Sequence, residues 1–384
     1  MTLALSSRAD ELQASADPAL DERFMRMALA LGARHLGLTS PNPSVGALVV
    51  RVDETGPIIL GQGITERGGR PHAERIALES AAAAARGATL YVSLEPCSHH
   101  GHTPPCVDAI LAAGVARVVT ALEDPDPRVR GRGHAFLRDH GVAVTTGVLA
   151  EEARRAHRGH ILRATEGRPA VTLKLAQTAD GYAGRADGAR LYITGERSNA
   201  RTHMIRAKAD AIMVGVGTVL ADDPQLTVRL PGMEDRSPVR VILDSRLRTP
   251  PAAQVVATAS EVPTWIVAAE NASAETERAL AAAGADVIRV ARAAGRIDLP
   301  EALRALAARG ITRVFSEGGP SCAEALVEHG LVDEFALATS STRLGAPGVP
   351  ALGPRLRWAL SEAFRRTSVE QLGPDRLELF ERAG

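Results

Sequence analysis

Pro71-His72-Ala73-Glu74, then Glu95-Pro96-Cys97, then Pro105-Cys106: an imidazole, a carboxylate and two thiols recur at a spacing that two short helices and a strand between them can bring together. A catalytic zinc takes three protein ligands and keeps a fourth position for water. His72, Cys97 and Cys106 supply such a set, and water on the ion ionises near neutral pH and becomes a nucleophile. Glu74, two residues after His72 at a helix start, stands beside the ion without binding it. It is placed to take a proton from that water and pass it to a leaving group. A single histidine or cysteine more often packs than ligates; the full set with the carboxylate reads as a zinc centre.

The His-x-Glu and Pro-Cys pairing is the arrangement of zinc deaminases that act on nucleobases. Their second half is usually Pro-Cys-x-x-Cys, whereas here Ser98-His99-His100-Gly101-His102-Thr103-Pro104-Pro105 separates the two cysteines. The longer loop can still deliver Cys106 to a helix N-terminus, where the helix dipole favours a thiolate. With the ligand set complete, His99, His100 and His102 read as substrate-facing or solvated loop residues.

Outward from this centre the chain alternates strand and helix. Helical spacing runs over Asp21–Leu38, strands over Ser44–Arg51 and Pro57–Leu60, and an Ala-rich helix over His72–Ala85. Strands follow at Ala88–Leu94, Val115–Ala121 and Val142–Gly147, with helices at Cys106–Ala113, Gly133–His140 and Glu151–Ala164. Thr165-Glu166-Gly167-Arg168-Pro169 then breaks the pattern and marks a domain boundary. A second run carries strands at Ala170–Ala176, Asp210–Val216, Val239–Asp244, Thr264–Ala268, Asp286–Val290, Thr312–Glu317 and Asp333–Ala338. Its helices fall at Arg197–Lys208, Ala274–Ala283, Pro300–Arg309 and Ser321–His329. The expected class is α/β throughout, with a tail at 1–19, one domain at 20–165 and another at 169–384. A length of 384 residues accommodates two domains.

Composition narrows the partners. Lys+Arg 45 against Asp+Glu 45 gives no net charge, and aromatics are 3%. That disfavours a protein that grips nucleic acid electrostatically or by stacking. No apolar run reaches the roughly 18 residues of a membrane span, and the first ten residues are too polar for a signal peptide. Three cysteines are too few for a disulfide scaffold, so the expected setting is cytoplasmic.

In the second domain Glu317-Gly318-Gly319-Pro320-Ser321 lies between a strand and a helix. Backbone N–H groups there can approach a phosphate. Gly215-Val216-Gly217-Thr218, at another strand end, can form a second wall. Either alone is as compatible with a plain turn.

Taken together, Thr39-Ser40-Pro41-Asn42-Pro43-Ser44-Val45-Gly46, Pro71-His72-Ala73-Glu74, Leu94-Glu95-Pro96-Cys97-Ser98-His99, Thr103-Pro104-Pro105-Cys106 and Asp124-Pro125-Asp126-Pro127 resemble the deaminase half of the bifunctional riboflavin-biosynthesis deaminase–reductases. Lys174-Leu175-Ala176, Asp180-Gly181, Ile193-Thr194-Gly195, Gly217 through Pro224, Leu226-Thr227-Val228-Arg229 and Arg240 through Asp244 resemble the reductase half. The resemblance covers roughly residues 20–345. It implies a cytidine-deaminase-like α/β/α domain followed by a dihydrofolate-reductase-like α/β domain, with Zn2+ and NADPH as cofactors. It implies deamination of 2,5-diamino-6-ribosylamino-4(3H)-pyrimidinone 5′-phosphate, then reduction of the ribosyl group of the product to ribityl. Zinc falls to His72, Cys97 and Cys106, and Glu74 to proton transfer. Asn42 either reads a base edge or is a turn residue. Ala176, Tyr192, Thr218, Asp222, Ser245, Gly319, Pro320 and Ser321 match cofactor positions. Arg206, Leu226, Arg229 and Glu317 match substrate positions, the arginines suiting a 5′-phosphate. Lys174 either polarises the sugar or is an ordinary strand-end lysine. Asp222-Asp223-Pro224 could instead be a solvated turn, and Cys322 reads as a structural thiol. A small phosphorylated pyrimidine substrate and a homo-oligomer are expected, with no nucleic-acid or membrane partner.

The sequence departs from that family at several points. Thr65 stands where a histidine is common, and His102 where an arginine is. Tyr192 replaces a tryptophan, Arg190 a serine, and His157 stands near a usual asparagine. Tyr192 keeps a flat face for stacking, and Arg190 offers a phosphate contact or points to solvent. The tail after Gly345 matches poorly. The rival expectations are a zinc deaminase of another nucleoside or an RNA base, and a C-terminal domain that binds a nucleotide without turnover.

Overall fold

The fold is known from a computed structural model, which describes residues 17–100, 104–189, 191–293 and 295–383. Most of the tail, together with His102 and Arg190, lies outside the described residues. The chain divides into two compact units, Met1–Glu166 and Gly167–Gly384. Among the described residues no helix is long and apolar enough to cross a membrane.

The first unit is a five-stranded sheet in the order β2-β1-β3-β4-β5. It is built from β1 (Gly46–Asp53), β2 (Gly56–Ile64), β3 (Thr89–Val92), β4 (Arg117–Thr120) and β5 (Ala143–Thr145). β1 runs antiparallel to both neighbours, and β3, β4 and β5 run parallel. Alternation along β1 sends Ala47 and Val49 to one face and Leu48 and Val50 to the other, all buried. Ala77, Leu78, Ile110 and Leu137, from three helices, pack on the first face. The helix Pro18–Gly32 packs Phe24, Met25 and Ala28 on the second. The result is an α/β/α sandwich. Asp21 of that helix is buried, accepts a forked pair from Arg117 at 2.9 and 2.6 Å, and accepts the Tyr91 hydroxyl at 2.9 Å.

Two glycines seat the helix that matters most. A Cβ on Gly63 would lie 2.1 Å from the Ala73 carbonyl oxygen, and one on Gly61 2.2 Å from that of Ala77. The helix Ala73–Ala81 therefore lies directly on β2, backbone against backbone. Gly63→Ala should cost ~1–3 kcal/mol through overpacking and push His72 and Glu74 off their positions. Urea denaturation together with zinc content checks this; an unchanged midpoint and full zinc would show that the helix has slack.

The second unit holds a nine-stranded sheet, order β11-β10-β9-β8-β14-β6-β15-β18-β17. In chain order the strands are β6 (Ala170–Gln177), β7 (Tyr182–Arg185), β8 (Ala211–Gly215), β9 (Val239–Leu243), β10 (Thr264–Ala269), β11 (Asp286–Val290), β12 (Arg292–Ala293), β13 (Arg296–Ile297), β14 (Arg313–Ser316), β15 (Glu334–Thr339), β16 (Gly348–Pro350), β17 (Phe364–Leu372) and β18 (Asp375–Arg382). β7 pairs with β16, and β12 with β13. The seven strands from β11 to β15 are parallel; β18 and β17 add an antiparallel hairpin at one edge. Ala211 and Met213 of β8 join one core, while Ile212 and Val214 join the core on the opposite face. After β8 the chain proceeds outward through β9, β10 and β11, then returns to insert β14 beside β8 and crosses to β15 on the far side. The β8–β14 junction is a topological switch point, where open α/β sheets leave a crevice at their strand ends.

Three expected elements differ in extent. The Ala-rich helix stops at Ala81, because Ala82 is left-handed (φ 48) and the chain turns on through a short 3-10 segment. The helix expected over Glu151–Ala164 is two, Ala150–Ala156 and Arg158–Glu166, broken at His157. That ring is buried with Nε2 3.1 Å from the Ser93 carbonyl oxygen and 3.2 Å from its hydroxyl, a tertiary contact that overrides helical propensity. The first helix ends at Gly32, where a Cβ would lie 3.0 Å from the Gly46 nitrogen.

Candidate active sites

In the first unit His72 is the N-cap of Ala73–Ala81, and Cys106 is the first residue of Cys106–Ala113. The two helix N-termini face Cys97, which follows β3. His72 Nδ1 lies 3.3 Å from Cys106 Sγ and 3.7 Å from Cys97 Sγ, and the Cys106 N–H donates to Cys97 Sγ at 3.4 Å. The three donor atoms lie within 4.8 Å of one another. The donor chemistry fits zinc. Held this close, the two thiols shift in opposite directions: the hydrogen bond from the Cys106 thiol lowers Cys97, while that bond and burial raise Cys106. A cation between them lets both ionise. Glu74 is buried in the first helical turn, with its carboxyl pushed up chiefly by burial and in contact with the Cys106 thiol.

His72, Glu74 and Cys97 line a cavity of about 420 Å³ whose walls also include Asn42, Thr65, Arg70, His99, Asp124 and His160. Asn42 Nδ2 donates to the Gly69 carbonyl at 3.0 Å. His99 and His100 both face the cavity, and His99 Nδ1 is buried without a hydrogen-bond partner.

Glu95 is a part of the site that the sequence did not explain. Its buried carboxylate accepts the N–H groups of Asp124 (3.1 Å), Gly131 (2.9 Å), Gly133 (2.9 Å) and His134 (3.2 Å). Burial pushes its carboxyl up and these four donors oppose that. The loop 123–134 is thereby wound around one side chain next to Cys97. A Cβ on Gly133 would lie 2.1 Å from the Pro96 carbonyl oxygen. Asp124 in turn meets the His160 ring at 2.9 Å, so the second linker helix completes the cavity.

In the second unit two clefts open at the switch point. One, of about 610 Å³, is lined by Gly215, Gly217, Ser245 and Ser321 among others. The other, of about 500 Å³, is lined by Arg206, Thr218, Asp222, Leu226, Arg229 and Glu317 among others. The short helix Val216–Asp222 contributes to both walls. The glycines are neither left-handed nor packed: nothing lies within 4 Å of where a Cβ would stand on Gly215, Gly217 or Gly319. Their missing side chains leave open space at the strand ends and ahead of the helix Pro320–Glu328, which suits a dinucleotide.

Arg206 is buried and already committed. Its Nε donates to Glu317 at 2.9 Å, another nitrogen lies 2.8 Å from the same carboxylate, and the third donates to the Thr227 carbonyl. Its fork is occupied by protein. Arg229 is exposed at its tip; burial of its stem and the nearby Arg206 lower its usual pKa. Its backbone N–H donates to His203 Nδ1 at 3.3 Å. Lys174 is held below the usual lysine range by burial, with Glu317 opposing. Leu226 and Asp223 are left-handed (φ 55 and 40), and Gln254 pins Asp223 through its own N–H at 2.8 Å and its side-chain amide at 2.6 Å. Gln254 and Gln225 also line this cleft.

Not every expected residue lines these clefts. Tyr192 is 78% exposed, and Ala176, Lys174, Gly319 and Pro320 are not among the residues that line either cleft. Arg190 lies outside the described residues. Cys322, expected as a structural thiol, is half-buried in the wall of the larger cleft, with burial pushing it up to about 11.

Comparison with known proteins agrees with this architecture. Residues 169–377 match the family described as RibD C-terminal domain, and residues 18–122 match the cytidine and deoxycytidylate deaminase zinc-binding region. Riboflavin biosynthesis protein RibD of Escherichia coli is 37% identical over 92% of this chain and 97% of its own. That of Aquifex aeolicus is 39% identical over 94% and 99%. The solved structure of Acinetobacter baumannii RibD superposes with a TM-score of 0.84 at 31% identity, covering 96% of this chain and all of that one (100%). The deaminase/reductase of Thermotoga maritima gives 0.80 at 33% identity, covering 95% and 99%. With both domains matched and relatives of this identity covered almost end to end, the chain belongs to the RibD family of riboflavin biosynthesis, a zinc-dependent deaminase joined to an NADPH-dependent reductase.

Proposed function

We propose that this chain deaminates 2,5-diamino-6-ribosylamino-4(3H)-pyrimidinone 5′-phosphate in its first unit and reduces the ribosyl group of 5-amino-6-(5-phosphoribosylamino)uracil to ribityl in its second. The observation that carries the first reaction is the convergence of His72, Cys97 and Cys106 beside the buried Glu74. When bound by those three residues, zinc supplies a Lewis acid that makes water a nucleophile near neutral pH. Glu74 accepts the proton that this water loses and delivers it to the departing amine, which leaves as ammonia. Its burial keeps the carboxyl from being levelled by solvent. Asn42 has spent its amide nitrogen on Gly69, so its carbonyl oxygen is the atom it offers to an N–H on the base edge.

In the second unit the larger cleft takes the dinucleotide along Gly215, Gly217 and Ser321, and the smaller takes the sugar phosphate. NADPH supplies a hydride to C1′ of the ring-opened ribosylamine. Thr218 and Asp222 line the smaller cleft, on the helix whose first residues line the larger one. Arg206 holds Glu317 in place, Leu226 walls the pocket, and Arg229 takes the phosphate with its exposed guanidinium. Lys174, near Glu317 and Arg206, polarises the sugar oxygen. The substrate is a small phosphorylated pyrimidine, and nucleic acid is not a partner. The setting is cytoplasmic, in keeping with two free cysteines in the zinc set. A homo-oligomer is supported by the exposed Trp358 and Val369 near the antiparallel edge of the large sheet.

Ammonia release and NADPH absorbance, assayed separately on the two substrates, test the pair of activities; absence of either reaction refutes its half. Arg229→Ala should raise KM for the phosphorylated reductase substrate ~10–100-fold, the value of a charge-assisted contact, with kcat little changed. An unchanged KM would move the phosphate elsewhere.

A further inference from the structure

Arg229 is the guanidinium that the smaller cleft leaves exposed, since Arg206 is spent on Glu317 and Thr227. A long side chain starts where its backbone places it, and here the backbone belongs to a loop rather than to a strand or helix. That loop is held group by group. It sets out from the left-handed, buried Leu226 (φ 55). The Thr227 carbonyl accepts from Arg206, and the Val228 N–H donates to the Ser237 hydroxyl at 3.0 Å. The backbone N–H of Arg229 donates to Nδ1 of His203 at 3.3 Å.

Neither reaction has used His203. It sits three positions before Arg206 on the helix Glu196–Arg206, so the two side chains leave one face and reach the same loop. Arg206 holds the carbonyl of Thr227, and His203 holds the N–H of Arg229. An imidazole accepts through Nδ1 when it is neutral and carries its proton on Nε2. The setting enforces that form. Burial pushes His203 down to about 4, Arg206 and Arg229 add to this, and Glu317 and the Thr227 backbone oppose it. At neutral pH the ring therefore adds no charge beside the two arginines and keeps its lone pair on the loop. Without that acceptor the loop loses the fixed point nearest the exposed guanidinium.

We propose that His203 is a positioning residue of the reductase, holding the backbone of Arg229 so that its guanidinium meets the 5′-phosphate of the substrate. The assignment rests on reading Arg229 as the phosphate contact. Steady-state kinetics on the full chain test it, with 5-amino-6-(5-phosphoribosylamino)uracil and with its dephosphorylated form. His203→Phe keeps a flat ring and removes the acceptor. It should raise KM for the phosphorylated substrate ~3–30-fold, the effect of a backbone donor left unmet, with kcat within ~2-fold. For the dephosphorylated form kcat/KM should stay within ~2-fold. His203→Asn, whose amide oxygen is as many bonds from the backbone as Nδ1, should return KM to within ~3-fold of wild type. In an Arg229→Ala background His203→Phe should cost nothing more. Equal loss on both substrates, full additivity with Arg229→Ala, no rescue by asparagine, or no loss at all overturns the positioning role. Where phenylalanine prevents folding, His203→Gln, whose acceptor lies one bond further out, takes its place with the same expected results. Arg229→Ala alone keeps the two readings apart. If it raises KM while the loss of the His203 acceptor changes nothing, only the positioning role is wrong. If it leaves KM unchanged, the phosphate contact lies elsewhere and the proposal falls with it.

Discussion

Cys106→Ala should remove zinc from the chain and lower ammonia release at least ~10³-fold, the several kcal/mol that a Lewis acid contributes. It should leave NADPH oxidation on the deaminated substrate within ~2-fold, since the second unit has its own core. Cys106 is 1% exposed and begins a helix. Among the described residues its sulfur is one of three donor atoms brought together here, and its N–H also supports Cys97. Alanine keeps that N–H and the helix start, so the protein should fold while two remaining ligands fail to hold the ion. Metal analysis after dialysis reads the result. Full zinc in the variant would mean that another residue completes the set; His99, with its buried unpartnered Nδ1, would be the first to examine.

Glu74→Gln should do the opposite to the metal. Zinc stays near one equivalent, while deamination falls ~10²–10⁴-fold, the range lost with a positioned acid–base group. The substitution is isosteric, so the buried site keeps its packing. What it removes is an atom that can accept a proton from water and return it to nitrogen. The carboxyl's upward displacement by burial suits that exchange, because it brings the group nearer to the proton affinity of the partners it serves. Deamination at the wild-type rate in a zinc-replete variant would assign the proton transfer to another residue.

The zinc centre was legible because its parts have side-chain signatures at short range. Pro105-Cys106 opens a helix in the structure as the sequence reads, despite the longer loop before it. The seven parallel strands of the second sheet were legible for the same reason: each is a short, β-branched, apolar run. Glu95 was not, because its partners are backbone N–H groups between Asp124 and His134, which leave no mark in residue types. The commitment of Arg206 to Glu317 spans 111 positions and is set only by β8 and β14 meeting. The break at His157 answers to Ser93, far away in the chain. The hairpin of β17 and β18 was missed because β17 is an edge strand with most residues exposed and polar, so its period-two pattern is faint.

One chain performs two successive reactions at two separate sites. A single-turnover experiment tests it most directly, with the zinc-loaded chain, NADPH and one equivalent of the diaminopyrimidine. It should give one ammonia and one NADPH oxidised per substrate, with ammonia first. In Glu74→Gln both should stop, and NADPH oxidation should resume on adding the deaminated product. Wild-type NADPH oxidation by Glu74→Gln on the diaminopyrimidine itself would contradict the account, as would ammonia release with no NADPH consumed.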